Sequence, residues 1–250
     1  MHAVLNISAY RFTVLADPGG WARQIRVQAA ERGLLGTAIL AAEGINLFVA
    51  GPEAGAQAFL DWLQQQAPFA GIAAKLSHSH TVPFGRLIVK VKAEIIRMSR
   101  PAVAPQGGRA PAVDAPTLAR WLDAGCDDQG RDVVMLDTRN CFEVDHGRFR
   151  GALDWRLKKF SDFPQALSGQ DRDFGGCTVV TYCTGGIRCE KAALYMRERD
   201  LPEVLQLEGG ILGYFAATGG AAPGWRGDCF VFDERTALAP DLRAEPGAAA

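Results

Sequence analysis

Residues 178–200 read TVVTY-CTGGIR-CEKAALYMRERD, and the change of pattern inside that stretch decides the fold. Thr178 to Tyr182 is a short β-branched run, as expected of a strand buried on both faces of a parallel sheet. Glu190 to Arg199 has helical composition. Between them a six-residue loop, Cys183 to Arg188, joins the carboxyl end of a strand to the amino end of a helix. Such a loop turns backbone N–H groups inward and lies at the positive end of the helix dipole. Gly185 and Gly186 permit the positive-φ conformations that an anion-binding nest requires. A cysteine opening the loop is expected to ionise, because amides, dipole and Arg188 all favour the thiolate. Cys183 is therefore the candidate catalytic residue, able to attack a sulfane sulfur and carry it as a persulfide. Thr184, Gly185, Gly186, Ile187 and Arg188 form the candidate substrate- or anion-binding loop, with the Arg188 fork expected to clamp an anion. The alternative, a buried structural cysteine beside a flexible turn, requires neither the glycines nor the arginine.

Working outward, Val133 to Leu136 and Val204 to Leu207 repeat the buried-strand pattern, and a helix capped by Asp114 runs to a stop at Gly125. This half reads as a doubly wound α/β domain. The strand ending at Asp137 feeds a loop, Asn140 to Phe149, expected over the same sheet edge as Cys183. There Asp137, Arg139 and Glu143 either orient the loop amides and Arg188 or form plain salt bridges. Cys189 either resolves an oxidised Cys183 as a disulfide or packs as a core thiol. Six cysteines in 250 residues make no disulfide framework. The six-residue spacing of Cys177, Cys183 and Cys189 is not that of a zinc site, and the four histidines supply no facial triad for iron. No metal and no cofactor motif is evident.

The N-terminal half alternates between strand and helix periods in the order β-α-β-β-α-β, the split βαβ of a ferredoxin-like α+β domain. Its strands are read at Val4 to Leu15, Thr37 to Leu40, Asn46 to Ala50 and Ala73 to Ser77. Its helices are read at Trp21 to Arg32 and Glu53 to Gln66. The domain is expected to span 1–98, a Pro/Gly/Ala-rich linker 99–112, the catalytic domain 113–220 and a C-terminal extension 221–250, its end disordered. Residues 1–110 hold 11 Lys/Arg against 6 Asp/Glu, although the whole chain carries only −1. Much of that excess lies between Lys75 and Arg109, so Lys90, Lys92 and Arg97 are candidate RNA contacts; the other reading is a solvated basic strand. Arg156, Lys158 and Lys159 beside Trp155 and Phe160 suit RNA as well, unless Trp155 simply packs in the core. Neither a signal peptide nor an apolar run long enough for a membrane span is present, so a cytoplasmic protein without membrane contact is expected.

These residues carry a family resemblance. Residues 113–220 resemble a rhodanese domain, through LDTRNCFEVDHGRFRGALDW (136–155), CTGGIR (183–188) and VLQLEGGILGYF (204–215). The six-residue loop resembles the sulfurtransferase type; related phosphatases have one residue more. With AEGIN (42–46) and GDCFVFDER (227–235), the chain from about residue 3 to residue 235 resembles the rhodanese-related tRNA uridine hydroxylases. That resemblance implies an acylphosphatase-like N-terminal domain, tRNA as partner and Cys183 as the catalytic cysteine. It also implies molecular oxygen as co-substrate and 5-hydroxyuridine at the wobble position as product. Many relatives continue into a cysteine-rich tail, whereas here the last cysteine is Cys229. A persulfide-forming sulfurtransferase is the alternative function, and a non-catalytic RNA- or protein-binding module a third.

Overall fold

The computed structural model describes residues 4–170, 174–201 and 203–244. It divides into two units. One comprises the residues up to Arg97 together with Phe232–Arg235; the other comprises Met98–Val231 and the segment from Thr236 onward.

The first unit runs β1 (Val4–Phe12), α1 (Pro18–Glu31), β2 (Leu35–Ala41), β3 (Gly44–Pro52), α2 (Glu53–Gln65), β4 (Ala74–Ser79) and β5 (Leu87–Val91). Asp17 starts α1 by accepting the Gly20 N–H at 2.7 Å, with Pro18 preorganised in the first turn. The sheet order is β4-β1-β3-β2-β5. The first four strands are the antiparallel ferredoxin-like set. Leu5, Ile7 and Ala9 alternate along β1 and share one core with Ile25 and Ala29 of α1 and Phe59 and Leu63 of α2. Both helices therefore cover the same face of the sheet. The AEGIN hairpin depends on Gly44, where a Cβ would lie 2.0 Å from the Arg11 carbonyl oxygen. The fifth strand is an addition to the expected pattern: β5 lies parallel to β2 and is drawn from the basic stretch between Lys75 and Arg109. It places Lys90 on an edge strand, exposed like Lys92 and Arg97.

The second unit runs β6 (Ala112–Val113), α3 (Ala115–Ala124), β7 (Asp132–Asp137), α4 (Cys141–Val144), β8 (Gly147–Phe149), β9 (Leu153–Asp154), α5 (Phe163–Ser168), β10 (Cys177–Tyr182), α6 (Ile187–Arg197), β11 (Val204–Leu207) and α7 (Gly210–Ala217). Three short strands follow, β12 (Trp225–Gly227), β13 (Cys229–Phe230) and β14 (Ala237–Leu238). Its main sheet has the order β6-β11-β10-β7-β9, with every pairing parallel. As expected, Asp114 caps α3 by accepting the Thr117 N–H at 2.8 Å, and Gly125 ends it in the left-handed region. The central position of β10 brings the Cys183 loop to the carboxyl edge of the sheet, beside the ends of β7 and β11.

The segment read as a linker, 99–112, is irregular but packed. The edge of β11 exposes N–H and C=O groups that need partners, and this segment supplies them: Pro111 accepts the Gln206 N–H at 2.9 Å, and Ala110 accepts the Gln206 side chain at 3.1 Å. Arg109 meets Glu190 at 3.4 Å and Glu208 at 3.1 Å. The C-terminal extension is paired as well. β12 pairs with β8, β13 pairs with β14, and the intervening Phe232–Arg235 belongs to the first unit. The far end expected to be disordered, 245–250, lies outside the described residues.

Candidate active site

Cys183 follows directly on β10, and α6 begins at Ile187 after Gly186 turns the chain through φ 103°. This turn aims the Gly186 N–H at the Cys183 Sγ, 3.2 Å away. The loop's carbonyl groups are drawn the other way. Those of Cys183 and Thr184 each accept an N–H from the first turn of α7, from Ile211 and Leu212, at 3.0 Å. Two strand-to-helix turns are thus pressed together, one offering amides to the sulfur and the other binding the oxygens that would repel it. The close approach needs Gly210, at φ 63°, where a Cβ would fall 2.5 Å from the Cys183 carbonyl oxygen and 2.6 Å from the Gly186 nitrogen. Gly210→Ala should therefore lower stability by about 1–2 kcal/mol for the left-handed backbone and a further ~1–3 kcal/mol for the overlap. Denaturant unfolding measures this; an unchanged midpoint would show that the two turns are not packed together.

Burial pushes the Cys183 thiol up, but the Cys189 thiol, the Arg188 guanidinium and the amides of Cys189 and Arg188 outweigh it and hold the thiol at about 5. The sulfur is thus a thiolate at neutral pH. The Cys189 Sγ lies 4.0 Å from it and 2.9 Å from the Gly186 carbonyl oxygen, two acceptors that share its single proton. Burial and the neighbouring Cys183 charge push Cys189 well above the ordinary range, so the pair splits into one ionised and one protonated thiol. A third buried thiol, Cys229, is pushed up to about 12 by burial.

Arg188 does not stand open over the loop as an anion clamp. Its guanidinium is buried and gives a two-pronged hydrogen bond to Glu143, at 2.5 and 2.6 Å. Glu143, fully buried in α4, also accepts the Asn140 N–H at 3.0 Å. Burial raises its carboxyl, but Arg188 and the Asn140 amide more than offset this and hold it below the ordinary carboxylate range. The fork is thus used internally, fixing a positive charge near the sulfur. Asp137 and Arg139 form a second fully buried pair, 2.7 Å apart. Arg139 also donates to the carbonyls of Gly147 at 2.6 Å and Glu143 at 3.2 Å, and its guanidinium lies over the rings of Tyr182 and Trp225. It ties β7, α4 and β8 together behind the loop.

The sequence-derived candidates therefore separate. Cys183, the loop through Arg188, Cys189 and Glu143 form one cluster, with Asp137 and Arg139 as its scaffold. Lys90, Lys92 and Arg97 lie in the other unit. Arg156 is engaged by Asp145 at 2.5 Å and Asp154 at 3.0 Å. Lys158 and Lys159 are exposed, with Lys159 3.8 Å from Asp162. Trp155 stacks against Phe163 at 5.2 Å. Sequence reasoning missed Gly210, Ile211 and Leu212, although a signal was present: Gly-Gly-Ile occurs after β11 just as it does within the Cys183 loop. The Cys183 side chain is 0% exposed, so a reactant reaches it only when its surroundings open.

No helix among the described residues is long and apolar enough to cross a membrane. No group of three or more His, Cys, Asp or Glu among those residues could hold a metal ion.

Comparison with known proteins agrees with both halves. Residues 4–95 match the UPF0176 acylphosphatase-like domain and residues 118–217 the rhodanese-like domain. A tRNA uridine(34) hydroxylase of Bordetella pertussis is 58% identical over 95% of this chain and 97% of its own length. Its namesake in Bordetella petrii is 56% identical over 100% of this chain and 98% of its own. Another, from Variovorax paradoxus, is 55% identical over 98% and 92%. With both domains matched in order and relatives this similar over nearly their full length, the chain belongs to the tRNA uridine(34) hydroxylase family.

Proposed function

We propose that this protein hydroxylates the wobble uridine of tRNA to 5-hydroxyuridine, with molecular oxygen as co-substrate and Cys183 as the catalytic group. The observation that carries the reading is the Cys183 sulfur, held as a thiolate by loop amides and Arg188 in a chain whose relatives are named for this reaction. A thiolate suits the task. Carbon 6 of uracil is conjugated to the C4 carbonyl, so thiolate addition there moves an electron pair onto C5, the atom to be oxygenated. That pair forms a C5–O bond to molecular oxygen, leaving a C5 hydroperoxide once protonated. Two electrons from a thiol reductant break its O–O bond, and loss of the C5 proton with departure of the thiolate then restores the ring. One oxygen atom stays on C5; the other leaves as water. Cys189, in van der Waals reach of Cys183, stays protonated and does not compete as a nucleophile. Lys90, Lys92 and Arg97 on and after β5 are proposed phosphate contacts, and the protein's place is the cytoplasm, where tRNA is used.

The test is the nucleoside mass spectrum of tRNA from a strain lacking the gene. The expected change is loss of one oxygen atom from uridine 34, restored by the wild-type gene. Loss of a sulfur atom instead would replace this reading with persulfide transfer, and an unchanged spectrum would overturn it.

A further inference from the structure

The second unit holds a cleft of about 600 Å³ bordered by residues 144–151, Arg226 and Gly227. Three of its lining side chains are arginines: Arg148 on β8, Arg150 just after it, and Arg226 on β12. All three are exposed. The ribbon β8–β12 sets Arg148 directly opposite Arg226. Cross-strand neighbours have Cβ atoms about 4.5–5.5 Å apart, and like charges so placed are destabilising.

The ribbon cannot easily spread to relieve that repulsion. A Cβ on Gly147 would lie 2.6 Å from the Arg226 carbonyl oxygen, and one on Gly227 would lie 2.4 Å from that of His146. Arg150 donates its N–H to Gly224 at 2.7 Å, and the Gly147 carbonyl is held by the buried Arg139. The charge is cancelled only in part. Among the described residues no carboxylate lies within 4.0 Å of Arg150 or Arg226, while Arg148 reaches Asp154 only at 3.9 Å. Asp154 is shared with Arg156 at 3.0 Å. The one acid lining the cleft, Asp145, is itself bound by Arg156 through two hydrogen bonds, at 2.5 and 2.9 Å. A fold that gathers three guanidinium groups around a cleft, two of them without an ion pair among the described residues, suits a multivalent anion.

The cleft also connects to the cysteine loop. The His146 ring packs on Phe230 at 5.2 Å and the Phe142 ring on the same Phe230 at 5.1 Å, edge to face. The carbonyl of Phe230 lies 3.4 Å from the Thr184 hydroxyl. Phe142 is 44% exposed. Aromatic rings therefore lie between the arginine cleft and the loop, the order in which a single strand presents phosphates and stacking bases.

We propose that Arg148, Arg150 and Arg226 bind phosphodiester groups of the single-stranded anticodon loop, with Phe142 and Phe230 as the adjoining stacking surface. The inference rests on the tRNA reading above and adds the residues that grip the strand. Its test uses the full chain and an anticodon stem-loop RNA carrying uridine 34. Replacing the three arginines together by Gln should flatten the slope of log K against log[salt] by roughly two, at about 0.7 for each phosphate of a single strand no longer neutralised. The KM for the RNA should rise while kcat holds, because the arginines position the strand through its phosphates without touching the reacting base. The melting temperature should hold or rise once the like-charge pair is gone.

Wild-type salt slope in the triple variant would overturn the cleft and leave the hydroxylase reading standing. A wild-type protein that binds no RNA, yet binds an acidic peptide through these arginines, would overturn both. Should the triple variant not fold, Arg150→Gln and Arg226→Gln are read singly, each expected to flatten the slope by about 0.7.

Discussion

Cys183→Ser should abolish hydroxylation of uridine 34, with a loss of at least ~10³-fold, because the nucleophile is replaced rather than weakened. Serine is nearly the same size and can accept the Gly186 N–H that now meets the sulfur at 3.2 Å. The loop carbonyls stay bound to Ile211 and Leu212, so the fold should survive. A serine hydroxyl remains protonated at neutral pH even in a nest of amides, and no thiolate is left to add to the pyrimidine. Nucleoside mass spectrometry after complementation of the gene-deleted strain measures the effect. Anticodon stem-loop affinity should match wild type, since the arginine cleft is unaltered. Hydroxylation retained above a tenth of wild type would remove Cys183 from the chemistry.

The second large effect is on stability. Glu143→Gln leaves the buried Arg188 guanidinium facing a neutral amide in place of two charged oxygens at 2.5 and 2.6 Å. Removing one partner of a buried pair costs about 3–5 kcal/mol, because the other charge is left uncompensated. Apolar replacement of both partners is close to neutral by the same reasoning. Glu143→Leu with Arg188→Met should therefore recover most of the stability in a denaturant titration, but not the activity. Arg188 is among the groups that hold Cys183 low, so the double variant should have a thiol that titrates nearer its ordinary value. Arg188→Lys keeps the charge near the sulfur but not the planar fork, so the thiol should stay reactive while the pair with Glu143 is weakened and stability falls. A stable double variant with wild-type turnover would reduce the pair to packing.

The two halves of the fold differ in how they show in the sequence. The ferredoxin-like order of the first unit is readable because its amphipathic periods are long and its breaks fall at Gly33, Gly44 and Pro52. The α/β reading of the second unit rests on three short apolar strands and on Cys183 to Arg188, whose residue types have a strong local meaning. The rest depends on pairings across long sequence separations. Glu143 and Arg188 are 45 residues apart; the sequence suggests that they meet, but not that the pair is buried and uses up the Arg188 fork. Arg139 is fully buried although arginine is among the residue types least often buried. The β8–β12 ribbon has strands of three residues each, too short to show a period. Residues 99–112 look like a linker because proline and glycine discourage repeating structure, yet an edge strand needs only a few carbonyls and amides, which such a segment can supply.

The most direct test of the account is the titration of Cys183 in the folded protein. The ultraviolet absorbance of thiolate, taken as wild type minus Cys183→Ser, needs no reagent to reach a buried sulfur. The midpoint should fall at about 5, against about 8.5 for an unperturbed cysteine. Because the folded value is the lower one, the stabilising contribution is complete above about 8.5 and is lost as pH falls toward about 5. Wild type should therefore lose stability relative to Cys183→Ser across that window. A midpoint at or above the ordinary cysteine value, with no pH-dependent difference in stability, would contradict the claim that this loop exists to hold a thiolate.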